Sequence, residues 1–312
     1  MPDYDVIIIG GGPGGVSSLL WCHSLNLRGL LLEQAAELGG QLLMMAHPIA
    51  DYPGLLPKDG RDLRDHFENH LRRLQLEWQT GCRIEAVSIH ERSVICNGSK
   101  LTAHALIIAT GARKRWLGVP GEAEFRGNGV SDNATRDQAM FARREVCVIG
   151  GGDSAFDDSL ILARVCSQVT LIHRSDNFRA REAWMQAAIE HPRISLITGV
   201  DVKQIIGDHD PQQVTGVLIE YRHSREQRVI PAQGVIVQVG IAPTTELLNH
   251  QLELDSAGYL RTDPGQRTSA NMVYAVGDVT HPVCLSVVTA AGQGAVAAKA
   301  IAETLRANHD AL

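Results

Sequence analysis

The sequence predicts an α/β fold of two βαβ units, one inserted into the other, and three features predict it. An apolar strand, a glycine-rich turn and a small-residue helix open the chain at Asp5. The same succession returns at Glu145, and apolar strands able to complete the first unit lie on both sides of the second.

The first unit is DVIIIGGGPGGVSSLLWCHSLNLRGLLLE, Asp5 to Glu33. Its continuous β-branched run ends at glycine, as a parallel strand buried on both faces does. Gly10, Gly12 and Gly15 supply G-x-G-x-x-G. The first glycine permits a tight turn, the second lets backbone approach a pyrophosphate, and the third lets helix pack on strand. Phosphate then sits on the helix N-terminus, where free N–H groups point at it. Glu33 closes the second strand, where a carboxylate can accept hydrogen bonds from a ribose diol.

The second unit is EVCVIGGGDSAFDDSLILARVCSQVTLIHR, Glu145 to Arg174. Gly150, Gly152 and Ala155 give G-x-G-x-x-A, and the 23 residues from Gly10 to Glu33 are matched from Gly150 to His173. The acid is replaced by His173 and Arg174, followed by Arg179 and Arg181. A carboxylate there repels a ribose 2′-phosphate, whereas His and Arg attract it, so this site is expected to take NADPH and the acidic one FAD. The expected architecture is therefore two Rossmann-like dinucleotide-binding domains, the NADPH domain inserted into the FAD domain. Its expected limits are 1–114 and 243–312 for FAD and 115–242 for NADPH.

Composition narrows the function. The 312 residues are 44% hydrophobic and 21% charged with a net charge of -6, and no basic block marks a nucleic-acid partner. No basic, apolar leader opens the chain and no apolar run approaches the ~18 residues of a membrane span, so a cytoplasmic protein without a membrane partner is expected. Six cysteines, at 22, 82, 96, 147, 166 and 284, include no C-x-x-C pair and no metal-ligand spacing, and read as buried reduced thiols. DLRDHFENHLRRL, Asp62 to Leu74, has mixed charge at helical spacing and reads as a solvated surface helix.

The motifs IIGGGPGG, GGQL, IIATGA, GGGDSA, HRSDNFRA and YAVGD, in this order over nearly the whole chain, make it resemble the low-molecular-weight thioredoxin reductase family. The resemblance implies that FAD is held by Gly10, Gly12, Pro13, Gly15, Glu33, Gly40, Gln41, Asp51, Thr110, Gly111 and Asp278. NADPH is implied at Gly152, Asp153, Ser154, Ala155, His173, Arg174 and Arg179. It also implies a homodimer whose NADPH domain rotates, here on the two strands near Ala112 and Pro243.

Two departures from that family stand out. Its C-A-T-C-D segment, whose cysteines take electrons from the flavin, is N-A-T-R-D here, with Asn133 and Arg136 in the sulfur positions. Neither residue carries two electrons, so the usual route to thioredoxin is absent. Its Arg-Gln-Ala run beside the flavin is Leu285, Ser286 and Val287, and losing that positive charge is expected to lower the flavin potential. The two-domain plan and the missing cysteine pair resemble the thioredoxin-reductase-like ferredoxin/flavodoxin-NADP reductases, though the last residues, LRANHDAL, lack the aromatic of that subfamily's extension, which is expected to leave the flavin face open. The expected acceptor is a small redox protein or a diffusible molecule. Alternatives are an external disulfide or thiol substrate, a ferredoxin-fed protein with a second flavin in the NADPH site, and a non-catalytic nucleotide sensor. Arg136, Asp137, Cys284 and His281 are weak candidates for a direct part in the chemistry.

Overall fold

The computed structural model describes residues 2–45, 48–210 and 212–310; the last two residues of LRANHDAL lie outside them. The chain forms two compact units, Met1–Arg113 with Ala242–Leu312, and Lys114–Ile241.

The first unit opens with β1 (Tyr4–Ile9), α1 (Pro13–Ser24) and β2 (Gly29–Leu32). Residues Val6 to Ile9 are at most 2% exposed, which explains a strand without polar alternation. Pro13 sits in the first helical turn, where its missing N–H costs nothing. Next come α2 (Gly60–Arg73), β3 (Glu77–Gln79), β4 (Ile84–Ser88), β5 (Ser93–Cys96), β6 (Ser99–Ile108) and β7 (Ala112–Lys114). The strand order is β3-β2-β1-β6-β5-β4; the β3-β2-β1-β6 part is parallel, and β4, β5 and the start of β6 form an antiparallel meander. Asp59 caps α2 by accepting from Asp62 N at 2.8 Å, and His70, Arg72 and Arg73 close its last turn. The expected surface helix is anchored by Leu63 and Leu71, both fully buried.

The second unit contains β8 (Val130–Ser131), α3 (Ala134–Asp137), β9 (Glu145–Gly150), α4 (Asp153–Leu162), β10 (Gln168–Ile172), α5 (Glu182–Ile189) and β11 (Ile194–Ile197). β12 (Val200–His209), β13 (Gln212–Tyr221) and β14 (Gln227–Pro231) form an antiparallel sheet, and β15 (Gly234–Gln238) completes a parallel one in the order β11-β10-β9-β15-β8. The chain passes through β16 (Ile241–Pro243) and returns to the first unit. There β17 (Val273–Ala275) pairs with β6, and α6 (Val287–Asp310) packs along α1, with Ser17 Oγ donating to Ala291 O at 2.6 Å.

The cysteines depart from expectation. Cys82 and Cys96 are joined as a disulfide, because β4 and β5 bring positions 14 residues apart to neighbouring ladder ends. Linear spacing carries no sign of that register. Cys22, Cys147 and Cys166 are buried free thiols, and burial pushes Cys22 and Cys147 up to about 12. Cys284 is exposed rather than packed. No helix of the described residues is long and apolar enough to cross a membrane.

Candidate functional site

The first site is built on the β1–α1 turn. Gly10 has φ +116°, and a Cβ there would overlap the Ala109 carbonyl oxygen at the end of β6, so only glycine closes this turn. Gly12, the helix N-cap, faces open space and no side chain caps it, which leaves the α1 N-terminus free for an anion. Glu33 folds back onto the loop: Oε2 accepts from Gly11 N at 2.6 Å and Oε1 from Ala35 N at 2.7 Å. Each oxygen retains a lone pair for a ribose hydroxyl.

The predicted residues largely converge. Gly40 lies against Gly12, 3.3 Å from its would-be Cβ to the Gly12 Cα, and Gln41 Nε2 donates to Asp278 Oδ2 at 2.5 Å. Asp278 is half-buried, and desolvation raises its carboxyl above the usual range against the opposing pull of the Gln41 amide. Thr110 N lies beside Gly10, its hydroxyl donates to Thr244 O at 2.6 Å, and Gly111 O accepts from Thr244 N at 3.0 Å. Asp51 stands apart on an exposed turn, with no hydrogen bond or ion pair to the others among the described residues. Sequence reading missed Gln293, whose Oε1 accepts from Gly277 N at 2.7 Å and so fixes the turn that presents Asp278. A lone glutamine in the small-residue run TAAGQGA was the available signal.

The second site repeats the plan with other partners. Gly152 faces open space at an uncapped helix start. His173 does not project as a free cation. A Cβ at Gly151 would overlap its ring, and the imidazole stacks on Phe178 with centroids 5.3 Å apart, while Phe156 meets Phe178 edge-on at 5.0 Å. Burial, helped by the nearby Arg174, Arg179 and Arg222 charges and opposed by a hydrogen bond with the Asn177 main chain, lowers its pKa and favours the neutral ring. The charge expected of His173 therefore falls to Arg174 and Arg179, whose side chains are exposed and make no hydrogen bond or ion pair among the described residues. Arg179 N donates to Gly151 O at 2.9 Å, which holds this basic stretch against the glycine turn. Arg181 is committed to Asp153 at 3.0 Å and stacks on Trp184. Asp153 thus braces that stretch, and Ser154 is exposed.

In N-A-T-R-D, Asn133 Oδ1 caps α3 by accepting from Arg136 N at 2.9 Å. Arg136 grips Asp137 with two bonds, 2.8 and 2.7 Å, and Asp132 at 3.1 Å. Asp137 also accepts from Ser131, and the Arg136 guanidinium lowers its pKa. It serves here as a hydrogen-bond acceptor for Arg136 and Ser131. Beneath lies a missed residue, Asp158 on α4, 8% exposed and hydrogen-bonded by Gln238 and the Ala134 N–H; burial pushes its pKa up to about 6. His281 stacks on Tyr259 at 4.2 Å, and no group of His, Cys, Asp and Glu fit for a metal occurs among the described residues.

Residues 4–294 match the pyridine nucleotide-disulphide oxidoreductase family. The chain belongs to this family. It is 36% identical over 295 residues to the thioredoxin reductase of Listeria monocytogenes, covering 94% of this chain and 91% of the relative. With that of Rickettsia typhi the identity is 33%, covering 96% and 97%. Among solved structures, Lactococcus lactis thioredoxin reductase superposes with a TM-score of 0.86 at 33% identity, over 96% of this chain and 98% of that one. The cofactors of this thioredoxin-reductase-like oxidoreductase are FAD and NADPH. The two open, uncapped helix starts at Gly12 and Gly152 fit two dinucleotides, with Glu33 suited to a ribose diol and Arg174 and Arg179 to a phosphate.

Proposed function

We propose that this chain is an NADPH-dependent flavin reductase that delivers electrons to an acceptor outside itself, a small redox protein or a diffusible molecule, without an internal dithiol. The observation that carries the reading is the N-A-T-R-D segment. Asn133 spends its side chain on a helix cap and Arg136 on Asp137 and Asp132, so this segment is a closed polar knot with no redox chemistry of its own. The Cys82–Cys96 disulfide is no substitute at the surface, because its residues are 0 and 3% exposed and offer no sulfur to a docking protein.

Bound FAD supplies the two-electron and one-electron chemistry. The chain's own residues bind and orient. The open Gly12 and Gly152 turns admit pyrophosphate, Glu33 holds a ribose, and Arg174 and Arg179 select a 2′-phosphate. By the family resemblance the working unit is a homodimer.

The test is an anaerobic titration of the yellow protein, followed by turnover with several acceptors. NADPH is expected to bleach the flavin and NADH to do so far more weakly. Reduced protein is then expected to pass electrons to a ferredoxin, a flavodoxin or a quinone and not to a thioredoxin. Rapid reduction of thioredoxin would overturn this reading, and two flavins per chain would place a second flavin where NADPH is assigned.

A further inference from the structure

Cys82 and Cys96 form a buried sulfur pair that neither nucleotide site uses. Their Cα atoms are 5.9 Å apart, within the span a disulfide bridges. Cys82 stands where the chain leaves β3 and wraps round the strand end that presents Glu33. Three main-chain hydrogen bonds make this wrap: Glu33 N to Gln79 O at 2.8 Å, Gly81 N to Ala35 O at 2.7 Å and Cys82 N to Glu33 O at 3.0 Å. Cys96 is the last residue of β5. A bond between the sulfurs thus fastens the hairpin to the residue that holds the Glu33 main chain, and Glu33 in turn grips the glycine loop through Gly11.

The thiol state is provided for as well. Gln79 Oε1 lies 4.0 Å from Cys96 Sγ, within reach of a thiol proton. Arg83 and Asn97 keep the hairpin end closed by two further hydrogen bonds, 2.9 and 3.0 Å, whichever state the sulfurs are in. Access requires local opening, and the ladder is irregular between Ile84 and Ala86, beside Cys82. The other buried cysteines, Cys22, Cys147 and Cys166, are unpaired.

We propose that Cys82 and Cys96 are a reversible thiol–disulfide switch on the FAD-binding unit: the oxidised pair holds the Glu33 strand end and its FAD firmly, and the reduced pair loosens both. The effect on FAD rests on the assignment of FAD to the Gly10 loop. Oxidation by hydrogen peroxide forms the S–S bond as both thiol protons and two electrons pass to the peroxide, giving two waters. A dithiol reverses it: its sulfurs pair, the S–S bond breaks, and both cysteines regain their protons.

The experiment uses purified holoprotein, treated with dithiothreitol or hydrogen peroxide and then freed of the reagent. Alkylation in denaturant with mass readout is expected to label all six cysteines after dithiothreitol and only four after peroxide, with the 82 and 96 peptides cross-linked. Flavin release at fixed temperature, followed by fluorescence, is expected to be about tenfold faster from the reduced protein. A Cys82→Ser, Cys96→Ser double variant should release flavin at the fast rate after either treatment, while Cys22→Ala keeps the difference. Should the double variant not fold, the two states of the unmutated protein still decide. Six labelled cysteines after peroxide, or equal release rates from the two states, overturn the switch. A protein that binds no flavin overturns the FAD assignment instead, and the thiol count then decides whether the pair forms.

Discussion

The two glycine turns of this chain have one backbone plan and two chemistries. Gly10 and Gly150 both take conformations that bring them against the end of a neighbouring strand, Ala109 in one unit and Gln238 in the other, and Gly12 and Gly152 both face open space. The residues beyond the second strand of each unit differ. Glu33 turns back and accepts two main-chain N–H groups, which fix its carboxyl group against the loop. His173, its pKa lowered, packs between Gly151 and Phe178 and leaves the charge to two arginines on the loop beyond. A further difference lies on the helices. Eight residues after the first glycine of each turn, Ser18 bonds its own helix at Gly14 O, whereas Asp158 is a buried acid reaching Gln238. The spacing of a nucleotide turn is thus set by backbone sterics, while the choice of nucleotide is left to side chains that the backbone leaves unconstrained.

The largest effect is expected where the shared plan itself is broken. Gly10→Ala puts a Cβ into Ala109 and holds alanine at positive φ, which should cost about 3 kcal/mol or more. Flavin content after gel filtration and the melting temperature check it, and a variant that keeps its flavin would show that the turn can yield.

The next tests separate the chemistries. Arg174→Ala and Arg179→Ala each remove an exposed guanidinium from the second site only, and each is expected to lower kcat/KM for NADPH about tenfold or more while leaving NADH and flavin content unchanged. Steady-state kinetics with the two nucleotides give the ratio. An equal loss with NADH would mean that the arginines serve the fold rather than the 2′-phosphate.

Asp158 marks the second unit by its pH response. Its folded pKa of about 6 lies above the ordinary 3.8 of an aspartate, so the folded state holds the proton more tightly. That stability is complete below about pH 4 and is lost as pH rises through about 6, a change of roughly 3 kcal/mol. Asp158→Asn should remove this slope from melting curves taken between pH 4 and 7.

His173→Phe should matter least. A ring that acts by packing on Gly151 and Phe178 is replaced by another ring, so the preference for NADPH over NADH should persist in steady-state kinetics. A preference lost in this variant would return the phosphate contact to the imidazole.

Much of this was legible in the sequence because it depends on local sterics. The turn glycines, the proline at the start of α1, the apolar strands and the terminal Glu33 all follow from what neighbouring residues permit. Gln41 and Asp278 were legible only through the resemblance, since 237 residues separate the two ends of their hydrogen bond. Gln293 and Asp158 were missed because a polar side chain within an apolar helix gives no sign of which distant main-chain group or glutamine it meets. The lowered pKa of His173 was not legible either, because titration depends on burial that residue type does not record. Cys82 and Cys96 were misread for a related reason, as a strand register decides which sulfurs meet.

By itself, then, the sequence determined the two βαβ units, the order in which the chain visits them, the absence of a C-x-x-C pair and the opposite signs of residue at the two strand ends. Each depends on covalent geometry and side-chain type over short spans. Tertiary structure alone decided that Arg136 is tied down by Asp137 and Asp132, that His173 packs against Phe178, that Asp158 is buried, and that two cysteines meet in a hairpin. The physical reason is that ion pairing, desolvation and sulfur proximity are properties of distances through space, which only the folded chain fixes.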